Sequence, residues 1–156
     1  MADYEFLTAC RFYVCVQTST SKVPDGVDAI FLDFKGLKAT QKVVEACEVT
    51  PVGEVVRTKI PGNLTYGNIT LRRGISKSMA LWDWFDQVSE KKWGKQRLDS
   101  TNFYVRIFDQ SGRETVRYEF ENAWPTSYKI ADLSTRSTDF EIEELEIAFE
   151  KFKRVK

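Results

Sequence analysis

The alternation of apolar and polar positions is sharpest between residues 103 and 121. Phe103-Tyr-Val-Arg-Ile-Phe108 sets Phe103, Val105 and Ile107 on one face of a strand. Asp109-Gln-Ser-Gly112 supplies a turn. Thr115 to Glu121 then returns with Val116, Tyr118 and Phe120 inward and Arg117, Glu119 and Glu121 outward. This pattern predicts an antiparallel hairpin. Trp124-Pro125 is expected to end it, because proline donates nothing to a ladder.

Five earlier segments read as strands. Residues 12–17 and 29–34 are rich in β-branched and aromatic types, and the second is closed by Gly36. Between them lies a polar loop ending in Pro24-Asp-Gly, a turn signal. Residues 38–48 alternate, with Val43 and Cys47 sharing a face with Gln41 and Glu45. After a break at Pro51 and Gly53, residues 55–60 resume with Arg57 and Lys59 on one side and Val56, Thr58 and Ile60 on the other. Pro61-Gly62-Asn63 reads as a turn. Residues 66–74 then place Ile69 and Leu71 opposite Thr70 and Arg72, and end at Gly74.

One helix is expected over about 76–90. Ser76 is a good N-cap, and Leu81, Trp84, Phe85 and Val88 recur at three- and four-residue spacing. Trp82 and Trp84 lie two positions apart, so both cannot point into one core, and one of them is a candidate for a subunit contact. The last segment is ambiguous. Ile142, Leu145, Phe149 and Phe152 have helical spacing, and periodicity alone leans toward a helix. Phe140 with Ile142, and Leu145 with Ile147 and Phe149, alternate instead, which needs a bulge at Glu143-Glu144. About seven strands and one helix predict a mainly β fold. It is a single domain over 1–156, two packed antiparallel sheets forming a sandwich or barrel with a flanking helix.

Composition narrows the chemistry. There is no histidine, which removes Ser-His-Asp and Cys-His catalysis and most zinc sites. Cys10, Cys15 and Cys47 have no CxxC spacing and read as reduced, small buried apolar residues. Gly62, Gly67 and Gly74 form no phosphate loop. No catalytic, cofactor or metal residue is assigned. Net charge is zero, so a basic field for nucleic acid is not indicated, and Arg57, Lys59, Arg72 and Arg73 read as a solvated strand face. As polar faces of long hairpins they would equally suit the lining of a water-filled channel. The acids from Glu141 to Glu146 read as a solvated or ion-paired strand edge. Aromatic side chains make up 13% of the chain, an excess that needs a core or an interface to bury it. The N-terminal residues lack a signal-peptide pattern, and no apolar run has the roughly 20 residues a membrane helix needs. A cytoplasmic product without a membrane anchor is expected.

The order of motifs resembles a known family. Ile60-Pro-Gly-Asn-Leu-Thr-Tyr-Gly-Asn-Ile-Thr-Leu-Arg-Arg-Gly-Ile75 followed by Leu81-Trp-Asp-Trp-Phe85 is similar to the tail tube proteins of contractile phages and the inner-tube proteins of related bacterial injection systems. Phe31-Leu-Asp-Phe-Lys-Gly36-Leu37, the hairpin at Ile107 to Gly112, Asn122-Ala-Trp124-Pro125 with Tyr128, and Ile142 to Phe149 follow in the same order. The motif residues are Gly36, Leu37, Pro61, Gly62, Leu71, Gly74, Leu81, Trp82, Trp84, Trp124 and Pro125. The resemblance implies a barrel of two sheets with one helix on its flank, and resolves the last segment as a strand with an irregularity. It implies a non-enzymatic subunit of six-fold rings that stack inside a contractile sheath. Its partners are then copies of itself, the sheath protein, baseplate or tube-initiator and tube-terminator proteins, and protein cargo in the lumen. The particle would assemble in the cytoplasm and act outside the cell or in a target envelope. Gln41, Val43, Glu45, Arg57, Lys59, Thr70 and Arg72 are the expected lumen or inter-subunit positions. A tube-initiator paralogue of the same fold is the alternative within this class. A small β-barrel binding a ligand or nucleic acid is the alternative outside it.

Overall fold

Period-two alternation gives ten strands and one short helix in a computed structural model that describes residues 7–9, 11–17, 31–75, 77, 79–92, 97–99 and 101–156. The strands are β1 (Phe12–Val16), β2 (Phe31–Lys35), β3 (Ala39–Val49), β4 (Val55–Tyr66) and β5 (Ile69–Gly74). After helix α1 (Ala80–Gln87) come β6 (Phe103–Phe108), β7 (Glu114–Glu121), β8 (Trp124–Ile130), β9 (Ile142–Ala148) and β10 (Lys151–Arg154). They form a first sheet β1-β6-β7-β10, a second sheet β2-β5-β9-β8 and a separate ribbon β3-β4, antiparallel at every pairing.

The two four-stranded sheets bury one face each. Val14, Val16, Phe103, Val105 and Phe120 come from the first, and Ile69, Leu71, Leu145 and Ile147 from the second. The β6–β7 hairpin is as the alternation predicts, with Val116 and Phe120 buried and Asp109 holding the turn. The Asp109 carboxylate accepts from the Ser111 hydroxyl and the Arg113 N–H, which keeps it below the usual carboxylate range. Helix α1 closes one flank with Leu81 and Trp84. Trp84 is 1% exposed and Trp82 is 41% exposed, so the two indoles divide as their spacing requires.

Several expectations change. The helix begins at Ala80 and has no side-chain cap; Ser76 lies outside the described residues. Beyond Gln87 the helical path widens into a π turn over Val88–Lys92. Of the strand expected at 29–34, residues 29 and 30 lie outside the described residues, and β2 runs from Phe31. The Thr18 to Asp28 loop lies outside them too, as does Cys10. Trp124-Pro125 does not end a segment but opens β8. Asn122, at φ 53°, turns the chain out of the first sheet, and Pro125 sits on an edge strand where a missing N–H is tolerated.

The closing segment is two strands, not a helix. β9 buries Glu143, Leu145 and Ile147 in strict alternation, so no bulge occurs at Glu143-Glu144. The irregularity falls at Phe149-Glu150, where the chain crosses to the first sheet and β10 pairs with β7. Helical spacing of Ile142, Leu145, Phe149 and Phe152 is therefore an accident of two strands in series. β9 is also central, between β5 and β8, so its acids do not form a strand edge.

Arg73 is the largest departure from the expected solvated face. It follows Ile69 and Leu71 on the inward side of β5 and is 2% exposed. Its guanidinium Nε pairs with Glu143 Oε1, and the Tyr128 hydroxyl donates to Glu143 Oε2 at 2.6 Å. Arg72, one position before it, points outward to Asp33 at 3.0 Å and Glu144 at 3.6 Å. Burial, reinforced by the Glu143 carboxylate, pushes the Tyr128 phenol up to about 12. The folded value lies above the ordinary value near 10. The stabilisation is therefore complete below pH about 10 and is lost as pH rises through about 12. A spectrophotometric titration of the native protein should show a late tyrosine step near pH 12 that disappears in Tyr128→Phe. A wild-type titration finished by pH 11 would contradict the buried pairing.

Candidate functional site

Strands β3 and β4 pair from Ala39↔Tyr66 to Val49↔Val55 and close through a turn in which Gly53 has φ 82°. Thr50 ties that turn by accepting from the Glu54 N–H on its side chain at 3.1 Å. Along this ladder all residues except Ala46, Gly62 and Tyr66 are exposed. The ribbon thus projects from the barrel with both faces open. Its eleven residues on β3 make an arm about 35 Å long. That is close to the width expected of a whole domain of this size, about 40 Å.

Pairing assigns the two faces. Val43, Glu45 and Cys47 stand opposite Pro61, Lys59 and Arg57 on one. Val44, Ala46 and Glu48 stand opposite Ile60, Thr58 and Val56 on the other. Pro61-Gly62-Asn63, expected as a turn, lies inside β4 as a bulge. Gln41 pairs with Leu64 and Val43 with Pro61, so β4 carries one residue more than β3 across that step. Gly62 is required there because a Cβ would come 2.9 Å from the Lys42 carbonyl oxygen and 3.0 Å from Val44 Cγ2. The bulge shifts the phase of β4, so Leu64 and Tyr66 join the face of Arg57 and Lys59.

The arm is rooted at two places. Tyr66 packs its ring against Phe149 and Phe152, at 5.7 and 5.4 Å between centroids. The Gly67 N–H donates to the Lys38 carbonyl at 3.0 Å, joining the β3–β4 ribbon to the β2–β5 ladder. Gly36, at φ 88°, makes the bend between them. A Cβ on it would lie 2.7 Å from the Asn68 carbonyl oxygen. Leu37 packs against the core beside this bend.

Of the expected lumen or inter-subunit positions, Gln41, Val43, Glu45, Arg57 and Lys59 fall together on one face of the arm. Thr70 and Arg72 do not. They sit on β5, with Thr70 between Lys35 and Glu146 in the register and Arg72 in its outward ion pairs. Cys15 is buried as expected, but Cys47 is exposed on the arm opposite Arg57. Sequence reading missed how open the arm is. The available signal was that Val43, Val44, Val55, Val56 and Ile60 fall on both faces of strands expected to have a polar side. The remaining motif residues support the barrel: Leu71, Leu81, Trp84 and Pro125 are buried, Gly74 ends β5 opposite Ile142, and Trp124 opens β8. Trp82 lies edge-on over Tyr128, with 5.2 Å between centroids.

The outward face of the first sheet is charged but balanced. Arg106 stacks over Tyr13 at 4.6 Å and Arg117 over Tyr104 at 4.1 Å, with Glu114 and Glu119 beside them. Among the described residues no helix is long and apolar enough to cross a membrane.

Comparison with known proteins agrees with this geometry. The family described as T4-like virus tail tube protein gp19 matches residues 8–153. A search of curated protein sequences finds no match. Among solved structures, the chain is similar to one from the six-fold symmetrised baseplate of the anti-feeding prophage, at 19% identity and TM-score 0.75, covering 95% of this chain and 94% of that one. A chain from the sheath-tube complex of PVC, an extracellular contractile injection system, in the extended state matches at 21% identity and TM-score 0.72, covering 98% and 93%. A chain from the sheath/tube terminator structure of PVC matches at 21% identity and TM-score 0.72, covering 100% of both.

Proposed function

Because the chain belongs to the T4-like virus tail tube protein family, we propose that it is a structural subunit of the inner tube of a contractile injection particle. Six copies close into a ring, rings stack into a hollow rod, and contraction of a surrounding sheath drives the rod forward. The subunit carries no reaction; it works by assembly. The partners are copies of itself, the sheath protein, the end proteins at baseplate and terminator, and protein cargo in the lumen.

The projecting arm is the observation that carries this reading. A two-stranded ribbon alone is marginal in water at best. Here it keeps about a domain's width of backbone and eight large apolar side chains exposed. Such a ribbon gains its stability from neighbours, and identical neighbours are supplied by a ring. Among the described residues, β1, β10, β2 and β8 are the outer strands of the two barrel sheets. A ring pairs such edges between copies and so uses what would otherwise be an aggregation liability. The face with Gln41, Glu45, Arg57 and Lys59, which also carries Val43, Val49, Val55 and Leu64, turns to the water-filled channel.

Electron microscopy of the purified protein at high concentration tests this. Rings and rods of one uniform width are expected. A chain that stays monomeric by light scattering at those concentrations overturns the reading. Arg57→Asp with Lys59→Asp multiplies its charge reversal around the channel, and should alter rod assembly or cargo loading. No change in either removes the lumen assignment. The same fold occurs in chains of baseplate, sheath-tube and terminator structures, which favours one second reading, an end piece of the tube. Isolated rings that never lengthen would select it.

A further inference from the structure

Strands β5 and β9 face the core with Ile69, Leu71 and Arg73 on one and Glu143, Leu145 and Ile147 on the other. The register sets Ile69 opposite Ile147, Leu71 opposite Leu145 and Arg73 opposite Glu143. The apolar side chains alone leave that register open. A slip by one residue is excluded, because it turns Glu144 and Glu146 into the core. A slip by two is not. It sets Ile69 opposite Phe149 and Leu71 opposite Ile147, apolar against apolar at both places. Phe149 already packs on the core, so it suits such a position.

The charged pair is what differs. In the slipped register Arg73 stands opposite Leu145, and Glu143 is carried two residues along, about 7 Å of strand, to a place opposite Ile75. Arg73 is 2% exposed and Glu143 is 5% exposed. Separating such a buried pair disfavours the slip by at least about a hundredfold. Tyr128 extends the constraint to β8. It stands opposite Leu145, and its hydroxyl donates to Glu143 Oε2 at 2.6 Å. Its ring lies against Trp82 and Phe85 of α1. One carboxylate thus meets side chains from both strands that flank β9, and Tyr128 refers the register to the helix.

We propose that the Arg73–Glu143–Tyr128 cluster is a register lock, which selects one pairing of β5, β9 and β8 from slips that the apolar residues do not distinguish. Its contribution is a unique fold rather than net stability, in the way that buried polar groups fix register elsewhere at a cost in stability. The consequence reaches the arm. The crossing at Phe149-Glu150 follows β9 directly, and Phe149 packs on Tyr66 at the root of the arm. A slipped β9 carries Phe149 about 7 Å along the strand away from that contact, so the lock also fixes how the arm is seated. The lock acts within one chain and does not depend on the tube reading.

Disulfides on the outward face report the register, in a chain carrying Cys10→Ala, Cys15→Ala and Cys47→Ala. Thr70 pairs with Glu146, so Thr70→Cys with Glu146→Cys closes in the observed register. Thr70→Cys with Ala148→Cys closes only after the slip, since diagonal cross-strand neighbours stand about 7–8 Å apart, beyond disulfide reach. With the cluster intact, the first disulfide should form and the second should not. Adding Arg73→Met, Glu143→Met and Tyr128→Phe should raise the yield of the second at least about tenfold. An unchanged yield overturns the proposal. A second variant moves the charge instead of removing it. Glu143→Leu with Leu145→Glu puts the carboxylate opposite Arg73 in the slipped register alone, so the slipped disulfide should become the major one. Retention of the observed register in that variant overturns the lock. Loss of both disulfides overturns it too, because the cluster would then serve stability and not register.

Discussion

Glu143→Ala is expected to lower the unfolding free energy by about 3–5 kcal/mol, the cost of breaking one partner out of a buried ion pair. The corresponding drop in melting temperature is roughly 10 °C for a chain of this size. The reason is local. Arg73 is 2% exposed, and the Glu143 carboxylate meets both its guanidinium and the Tyr128 hydroxyl. Removing the carboxylate leaves a cation in the interior without that counter-charge, and a phenol without its acceptor. Urea denaturation followed by intrinsic fluorescence measures the loss, and a fall of less than about 1 kcal/mol would contradict it.

A second variant separates charge burial from packing. Arg73→Met with Glu143→Met and Tyr128→Phe removes all three polar groups together. The apolar triple should recover most of the stability lost by Glu143→Ala, since buried ion pairs are often no more stabilising than well-packed apolar residues. Tyr128→Phe alone should lie between, at about 1.5–3 kcal/mol for a hydrogen bond to a charged group. The ordering of the three distinguishes the loss of a buried counter-charge from a simple cavity.

That cluster also marks where sequence reasoning stopped. Period two from Ile69 and Leu71 places position 73 inward without ambiguity. Charge masks the period, so Arg73 reads as solvated alongside Arg57, Lys59 and Arg72. Glu143 was hidden in the same way among the acids from Glu141 to Glu146. Recognising either would have required its partner, because a buried charge is tolerable only when paired. The pairing Arg73↔Glu143 is long-range and appears only once β5 and β9 are neighbours. With Glu143 read as polar, the inward series of β9 shrank to Leu145 and Ile147, and a helical period fitted equally well.

The β6–β7 hairpin was legible because one face is buried and the other wet, which is what alternation reports. Half of the arm was legible for the same reason: Arg57 with Lys59, and Gln41 with Val43 and Glu45, share a face as their spacing requires. That the arm projects was not legible, since period two describes a strand's faces and not what covers them. The bulge at Gly62 was also misread. Pro-Gly-Asn carries turn chemistry, but the close approach to Lys42 that demands a glycine there comes from the strand across the ladder.

Gly36→Ala is expected to damage assembly more than any substitution of comparable size in a loop. The position has φ 88°, which a residue with a Cβ adopts at a cost of about 1–3 kcal/mol. Gly112 has φ 83° and open space around it, so Gly112→Ala pays that conformational cost alone. At Gly36 the added Cβ meets the Asn68 carbonyl oxygen at 2.7 Å, and that oxygen belongs to backbone, which cannot swing aside. Relief requires Gly36 and Asn68 to separate. Those two residues flank the Lys38–Gly67 hydrogen bond that hands the β2–β5 ladder to the arm. Gly36→Ala should therefore lose at least 1 kcal/mol more than Gly112→Ala in urea denaturation. It should also fail to form rods under conditions where Gly112→Ala still does. The two variants share the backbone term, so the difference isolates the close approach. Equal losses and equal assembly would mean that the aim of the arm does not depend on this bend.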